Sequence, residues 1–186
     1  MSPGTSMSPG KREFQPIKIA ILTVSDTRSL DDDKSGNILV ERLTTAGHIL
    51  VDRAIVTDDI PKIQAVVKKW IDDDGVDVVI STGGTGLTGR DITPEAFTAL
   101  YDKEIDGWST IFHQMSFQKI GVSTIQSRTT AGVAGGTYLF ALPGSPGACK
   151  DGWDNILLHQ LDYRAGPCNF VEIMPRLDEH LQRSKT

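Results

Sequence analysis

The sequence VDVVISTGGTGLTGRDITPE, residues 76–95, decides the fold that we predict for this chain. Its first part, Val76 to Ile80, is a β-branched run typical of a buried strand. Four glycines follow within residues 83–89, which we call the glycine loop. The stretch Thr93-Pro94-Glu95 then predicts a helix start, with a hydroxyl cap, proline at the first position and an acid in the first turn. This order of elements favours anion binding, because glycines let backbone N–H groups approach a phosphate. A glycine-rich turn without a ligand is the alternative.

Length and composition narrow the possible classes of protein. A chain of 186 residues, 39% hydrophobic and 23% charged, predicts one globular domain. We expect a disordered tail over residues 1–15 and a single domain over 16–186. No apolar run approaches the ~20 residues of a membrane span, and the first residues lack the apolar core of a secretory signal. A net charge of −5 argues against a nucleic-acid partner. Cys149 and Cys168 have no zinc-site spacing, so we expect a reducing, cytoplasmic setting.

Strand and helix patterns alternate along the chain. Strands are predicted over residues 17–24, 49–56, 76–80, 129–134 and 137–142, and helices near 37–46, 60–71, from 93, over 105–115 and over 149–161. Gly135-Gly136 predicts a hairpin between the last two strands, and the tail from Asp162 is interpreted as extended. The alternation predicts an α/β fold, a three-layer α/β/α sandwich whose sheet is mostly parallel with an antiparallel hairpin strand. The apolar stripe of the 105–115 helix fits either the core or a subunit interface.

Polar residues follow four of the predicted strands. These strand ends are Ser25-Asp26, Thr57-Asp58-Asp59, Ser81 to Gly84 and Pro143-Gly144-Ser145. Because ligands of parallel sheets bind at the carboxyl ends of the strands, we expect these residues to meet in one site.

Several common enzyme classes lack support in this sequence. No Cys–His pair or Ser–His–Asp set is evident, and the four histidines fall on predicted helices, helix ends or the tail. The phosphate-binding motif GxxxxGK[ST] and a GxGxxG after the first strand are both absent. A phosphate-binding loop with carboxylates suits magnesium-assisted phosphoryl or nucleotidyl transfer. Asp58 and Asp91 are the candidate Mg²⁺ ligands, since Mg²⁺ takes only one or two protein carboxylates.

Each candidate residue also has a local structural interpretation. Asp91 could cap the helix at Thr93, and Asp58 could cap the helix from Ile60. Asp26 and Ser145 could be turn residues, Arg90 could be solvated, and the Asp31 to Asp33 run is interpreted as a solvated loop. Their joint placement at strand ends is what favours a site.

Three ordered motifs resemble the signature of the molybdopterin-binding family, which includes bacterial MogA and MoaB and the G domain of gephyrin. The motifs are Thr23 to Asp26 with Asp33 to Gly36, then Gly83 to Gly86 with Arg90 to Ala96, and last Leu142 to Pro146. Residues 120–128 and 160–170 resemble the MoaB branch, and the resemblance extends over about residues 17–177.

The resemblance implies a role in molybdenum cofactor biosynthesis, namely Mg-ATP-dependent adenylylation of molybdopterin before molybdate insertion. It implies catalytic and Mg²⁺-binding roles for Asp91 and Asp58. The residues implied to bind substrate or nucleotide are Ser25, Asp26, Gly83, Gly84, Thr85, Gly86, Arg90, Arg128, Gly144 and Ser145. It further implies a homo-oligomer, trimer or hexamer, with other molybdenum cofactor biosynthesis proteins as possible partners.

One departure from the family leaves a second hypothesis open. Active relatives often carry Pro-Asp-Glu or Pro-Asp-Asp where this chain has Thr57-Asp58-Asp59. A non-catalytic molybdopterin- or precursor-binding protein is therefore the alternative, and an interaction scaffold is a weaker third. Retention of Asp58 and Asp91 favours the enzyme.

Overall fold

The structure, a computed structural model, describes residues 12–183. One six-stranded sheet forms its centre. The strands are β1 (Lys18–Val24), β2 (Ile49–Val56), β3 (Val78–Thr82), β4 (Lys103–Glu104), β5 (Thr130–Ala134) and β6 (Thr137–Leu142). The α-helices are α1 (Lys34–Thr45), α2 (Ile60–Ile71), α3 (Thr93–Thr98), α4 (Asp106–Ile120), α5 (Pro146–Gly152), α6 (Leu158–Gln160), α7 (Phe170–Ile173) and α8 (Glu179–Arg183). A 3₁₀ segment, Gly121–Gln126, follows α4, and a π-helical turn, Trp153–Leu157, joins α5 to α6.

The sheet order is β2-β1-β3-β6-β5-β4. Strands β2, β1, β3 and β6 are parallel neighbours, whereas β5 is antiparallel to both β6 and β4. The predicted mostly parallel sheet with an antiparallel hairpin strand is therefore confirmed. Strand β2 is one outer strand, and its pairing with β1 shifts register at Val51, which stands as an extra residue between Leu50 and Asp52.

Alternate residues of the central strands pack into two separate cores, because successive side chains of a strand point to opposite faces. Ile19 and Ile21 of β1 pack with α1, α4 and the α5–α6 segment, while Ala20 and Leu22 pack with α2 and α3. Each fully buried isoleucine or leucine side chain of these cores stabilises the fold by roughly 1.5–3 kcal/mol. The predicted three-layer arrangement follows from this division.

Several predicted boundaries differ from the structure. Helix α1 begins three residues earlier than predicted, because Asp33 caps it by accepting a hydrogen bond from the Gly36 N–H at 3.0 Å. The tail from Asp162 was predicted to be extended, yet it contains α7 and α8. The short strand β4 was not predicted.

The predicted disordered tail, residues 1–15, falls mostly outside the described residues. Residues 1–11 lie outside the described part of the chain, but Arg12 donates a hydrogen bond to Glu172 at 2.9 Å. Phe14 packs against the ring of His48, with 5.2 Å between ring centroids. Residues 12–15 therefore belong to the packed domain.

The apolar stripe of α4 divides between two environments. Trp108 and Phe112 are buried in the core, whereas Ile111 is 49% exposed. Exposed apolar side chains continue from α4 into the 3₁₀ segment, and they are Phe117, Ile120, Val122 and Ile125. Within residues 12–183, none of the helices has the length and apolar character required to cross a bilayer.

Candidate active site

The loops that follow β2, β1, β3 and β6 meet at one edge of the sheet, because these strands are consecutive and parallel. They enclose a cleft of about 460 Å³, which we call the acidic cleft. Eight of the predicted site residues line it, namely Ser25, Asp26, Asp58, Gly83, Gly84, Arg90, Asp91 and Gly144. The predicted meeting of these strand ends is thus observed, while their roles with substrate stay predictions.

The glycine loop begins with two consecutive residues that require glycine. Gly83 has φ +101° and Gly84 has φ +69°, values that other residues rarely adopt. A Cβ atom on Gly83 would lie 2.2 Å from the Val24 carbonyl oxygen, and one on Gly84 would lie 2.3 Å from Thr93 Oγ1. Among residues 12–183, the Gly84 N–H has no hydrogen-bond acceptor, although Gly84 lines the cleft. The loop therefore presents a backbone donor of the kind that binds phosphate oxygens.

Thr93 has a different role from the predicted helix cap. Thr93 is the first residue of α3, and the preceding Ile92 makes no side-chain cap. The buried Thr93 hydroxyl instead donates to the Gly83 carbonyl at 2.9 Å, and the Thr93 N–H donates to the Gly84 carbonyl at 3.0 Å. Helix α3 has only six residues, too few for its dipole to contribute to anion binding. Its role is to hold the glycine loop in place through Thr93.

Asp26 connects two other loops of the cleft. Its Oδ1 accepts a hydrogen bond from the Asp58 N–H at 3.1 Å, and its Oδ2 accepts one from Arg90 Nε at 2.6 Å. These two interactions hold the pKa of Asp26 below its usual value, the bond from the Asp58 N–H first. Asp26 is therefore ionised at neutral pH and joins the ends of β1, β2 and β3.

Asp58 and Asp91 differ in how their charge is balanced. Partial burial raises the pKa of Asp58, and the nearby charges of Asp26 and Asp91 raise it further. Burial alone would also raise the pKa of Asp91, but hydrogen bonds from the hydroxyl and N–H of Thr88, at 2.7 and 3.0 Å, outweigh it and lower the pKa. Within the described part of the chain, neither Asp58 nor Asp91 forms an ion pair with a basic side chain.

The alternatives of helix capping are wrong for both of these acids. Asp59, and not Asp58, caps α2 by accepting a hydrogen bond from the Lys62 N–H at 2.9 Å. Asp91 accepts its hydrogen bonds from Thr88 within its own loop and does not cap α3. Both carboxylates thus lie at the cleft without a helix-capping function.

The carboxylates of the cleft fit a divalent cation. No group of three or more His, Cys, Asp or Glu side chains within residues 12–183 is placed to hold a metal ion. Mg²⁺ needs only one or two protein carboxylates, with water and substrate phosphates as its other ligands. Neither Asp58 nor Asp91 forms an ion pair with a described basic side chain. The pKa of Asp58 is raised first by burial and then by the negative charges of Asp26 and Asp91, and a cation would offset those charges.

Four predicted site residues lie outside the lining of the acidic cleft. Arg128 supports the glycine loop from behind, donating to the carbonyls of Gly86 and Asp91 at 2.7 Å each and pairing with Glu95. The Thr85 side chain is buried, and its carbonyl accepts the Arg128 N–H at 2.8 Å. Ser145 caps α5 by accepting a hydrogen bond from the Ala148 N–H at 3.2 Å. For Thr85, Gly86, Arg128 and Ser145 the structure therefore supports positioning roles and not direct lining of the cleft.

A second cleft, which the sequence analysis did not identify, adjoins the first. It has a volume of about 420 Å³ and is lined by Arg28 and Arg53 together with Ser29, Leu30, Ile55 and Thr57, so we call it the arginine cleft. Both arginines face Asp33, whose side chain is fully buried. The interpretation of Asp31 to Asp33 as a solvated loop is thus wrong for Asp33. Its position three residues before Gly36, in a helix-capping spacing, is the signal that could have identified it.

A third cavity, of about 510 Å³, lies at the opposite edge of the sheet. Asp73, Asp74, Asp77 and Asp178 line it, and no arginine or lysine is among the described residues that do so. An uncompensated acidic lining suits phosphate ligands poorly. The two clefts at the carboxyl ends of the strands are therefore the better candidates for nucleotide chemistry.

Comparison with known proteins gives one consistent family. The family described as "Probable molybdopterin binding domain" matches residues 20–163, which include all four loops of the acidic cleft. Molybdenum cofactor biosynthesis protein B from Escherichia coli (strain K12) is 51% identical over 164 residues, covering 88% of this chain and 96% of that protein.

Solved structures agree with this result. The crystal structure of a molybdenum cofactor biosynthesis protein B superposes with a TM-score of 0.77 at 36% identity and covers 92% of this chain and 99% of its own. The tungsten cofactor synthesizing protein MoaB from Pyrococcus furiosus has a TM-score of 0.67 at 32% identity, with the same coverage of 92% and 99%.

Proposed function

Since this chain belongs to the molybdopterin-binding family of molybdenum cofactor biosynthesis protein B, we propose that it adenylylates molybdopterin with Mg-ATP. The observation that carries the proposal is the pair Asp58 and Asp91, two carboxylates without basic partners beside the glycine loop. Membership of the family supports molybdopterin as one substrate. The carboxylate pair supports Mg-ATP as the other, because it offers ligands for the cation.

The proposed reaction needs no protein base. The terminal phosphate of molybdopterin is a monoester with a second pKa of about 6, so at neutral pH most of it is the dianion. One of its oxygens attacks the α-phosphorus of ATP, and the bond from that phosphorus to the oxygen bridging to the β-phosphate breaks. Pyrophosphate leaves with the electron pair. The task of the protein is to align the two phosphates and to offset their charge.

Asp58 and Asp91 would hold Mg²⁺ in this site. When bound, Mg²⁺ supplies positive charge to the phosphate oxygens in a cleft where the carboxylates of Asp26, Asp58 and Asp91 outnumber the two arginines. The Gly84 N–H offers a hydrogen bond to a phosphate oxygen, and Asp26 keeps the Asp58 loop and Arg90 in place. Arg128 holds the glycine loop and the Asp91 backbone, so we propose it as a positioning residue.

A second candidate function is binding of molybdopterin or a precursor without catalysis. One observation at Asp91 supports this alternative: its Oδ2 already accepts hydrogen bonds from the hydroxyl and the N–H of Thr88. If that oxygen keeps these bonds in the complex, it is less available to a cation. The cleft would then bind phosphate without activating it.

One experiment separates the two functions. Purified protein is incubated with molybdopterin and Mg-ATP, and adenylylated pterin and pyrophosphate are quantified by chromatography. We expect both products from the wild type and a loss on the order of 10²-fold or more in Asp91→Asn. Asp74→Asn, at the opposite edge of the sheet, is the matched control and should react like wild type.

The outcomes differ for each hypothesis. Tight molybdopterin binding without adenylylated product would overturn the transferase and support the binding protein. Equal product formation by Asp91→Asn and wild type would overturn the role of Asp91. A thermal melt of each variant separates these results from loss of folding.

We also propose that the chain forms a homo-oligomer through a second copy of itself. The exposed apolar side chains at the end of α4 and in the segment after it support this, with Val122 77% and Ile125 78% exposed. Light scattering after size exclusion would measure the mass, with a trimer or hexamer expected. Ile125→Asp should reduce that mass if this surface forms the contact.

A further inference from the structure

Arg28 and Arg53 share one buried carboxylate. Arg53 Nη2 lies 3.0 Å from Asp33 Oδ2, and Arg28 Nη1 lies 3.8 Å from Asp33 Oδ1. The Asp33 side chain has no exposed surface, whereas 34% of the Arg28 side chain and 18% of the Arg53 side chain are exposed. Both guanidinium groups therefore reach the cleft, whereas the Asp33 carboxylate that they share is buried beneath them.

The charge of this cluster is not balanced. Asp33 also accepts hydrogen bonds from the Thr23 hydroxyl at 2.6 Å and from the Gly36 N–H at 3.0 Å, so one carboxylate serves two guanidinium groups and two further donors. Arg53 Nε is buried and has no acceptor among the described residues. Asp26 also lines the arginine cleft, but its charge is paired with Arg90. One positive charge therefore remains for an anion.

The position of the cluster relates it to the proposed reaction site. The arginine cleft and the acidic cleft share Ser25, Asp26 and Arg28. Both Nη atoms of Arg28 lie 3.4 Å from the Gly144 carbonyl, which directs this guanidinium toward the acidic cleft. Ser25 Oγ accepts the N–H groups of Thr27 and Arg28 at 3.2 Å each and fixes the loop between the clefts. The two clefts are thus adjoining parts of one groove.

We propose that the arginine cleft binds the pyrophosphoryl end of the nucleotide and holds the pyrophosphate that leaves. Guanidinium groups match phosphate oxygens in geometry and keep their charge at all relevant pH values. In the acidic cleft three carboxylates outnumber two arginines, whereas the arginine cleft keeps one positive charge that no described acidic side chain offsets. The identity of the leaving group rests on the proposed function, but binding of inorganic pyrophosphate does not.

Calorimetry with four ligands tests the proposal on the full chain. The ligands are inorganic pyrophosphate, ATP, AMP and inorganic phosphate, each with Mg²⁺. We expect Arg28→Gln and Arg53→Gln each to weaken pyrophosphate and ATP binding by about tenfold or more, as for a lost charge-assisted hydrogen bond. AMP lacks the pyrophosphoryl group, so its affinity should change little.

Matched variants keep the result interpretable. Arg42 lies on α1 outside both clefts and pairs with Asp154 of the π-helical turn. Arg42→Gln should therefore leave all four affinities unchanged. Arg53→Gln removes a partner of the buried Asp33 and could unfold the chain. In that case Arg28→Gln, whose side chain is more exposed, decides the question.

Each outcome has a definite meaning. No pyrophosphate binding by the wild type, or equal affinity in Arg28→Gln and wild type, would overturn the proposal. An equal loss for AMP or inorganic phosphate would also overturn it, since the arginines would then bind a phosphate common to all ligands or to the pterin. Arginine-dependent pyrophosphate binding without adenylylated pterin would uphold this site and refute the transferase.

Discussion

Gly83→Ala is the substitution for which the structure predicts the loss of folding stability most directly. Residue 83 has φ +101°, and an ordinary residue at positive φ loses about 1–3 kcal/mol. The new methyl carbon would lie 2.2 Å from the Val24 carbonyl oxygen, a backbone atom of β1 that cannot rotate away. Overpacking of this kind costs roughly 1–3 kcal/mol more. We therefore expect the free energy of unfolding to fall by about 2–6 kcal/mol.

Thermal unfolding followed by circular dichroism measures this cost. For a domain of this size each kcal/mol lowers Tm by about 2–4 °C, so Gly83→Ala should melt about 4–24 °C below wild type. Gly89→Ala is the matched control in the same loop, because its new Cβ meets no atom within 4 Å. It should stay within about 0.5 kcal/mol of wild type. Similar melting of the two variants would refute the close approach of the glycine loop to β1.

Three further predictions follow from other contacts. Arg128→Gln should lower the free energy of unfolding by roughly 1–3 kcal/mol, since the Gly86 and Asp91 carbonyls lose a charged donor. Glu95→Gln removes only the partly exposed ion pair with Arg128 and should lower it by less than about 1 kcal/mol. Equal losses in urea titrations would contradict this role of Arg128. Burial lowers the pKa of His48, whose Nδ1 accepts the Ile17 N–H at 3.1 Å, so the folded chain keeps the neutral imidazole. The free energy of unfolding should then fall as the pH drops below about 6.5, by at most about 1.4 kcal/mol per pH unit. In His48→Gln the Tm should decline less steeply with falling pH, and parallel curves of Tm against pH for the two proteins would disprove this role of His48. Burial raises the pKa of the Cys149 thiol to about 11, while Cys168 is exposed. Iodoacetamide at pH 8 should alkylate only Cys168 in the native chain, and peptide mass spectrometry showing equal labelling would contradict the burial of Cys149.

The features that the sequence predicts well depend on short-range patterns. Val78 to Ile80 are buried on both faces of the sheet, which is why their run is apolar without interruption. The meeting of Asp26, Asp58 and Asp91 was predictable because parallel strands place their carboxyl ends together. Alternation of strand and helix therefore sufficed for the fold class and for most of the acidic cleft.

The features that the sequence analysis missed depend on long-range contacts. Arg53 lies in the middle of β2 and reaches a carboxylate 20 positions earlier in the chain, which no local pattern indicates. The last helices are too short to form alone and depend on contacts such as the Tyr138 hydroxyl with the Phe170 carbonyl, at 2.7 Å. Thr93 resembled a cap in sequence, but the Gly83 carbonyl is the acceptor that its hydroxyl meets in the fold.

The extra residue in β2 has a consequence for how the folded chain meets other chains. An outer strand with free N–H and C=O groups can recruit a foreign strand, which leads to aggregation. Here the irregularity at Val51 interrupts the strand, and the charged residues Asp52 and Arg53 follow directly. Their side chains are tied inward, Asp52 to the Trp70 indole at 2.8 Å and Arg53 to Asp33 at 3.0 Å. We therefore expect β2 to be a poor template for strand addition. Arg53, an arginine of the proposed anion site, thus also helps to protect this edge strand from pairing with other chains.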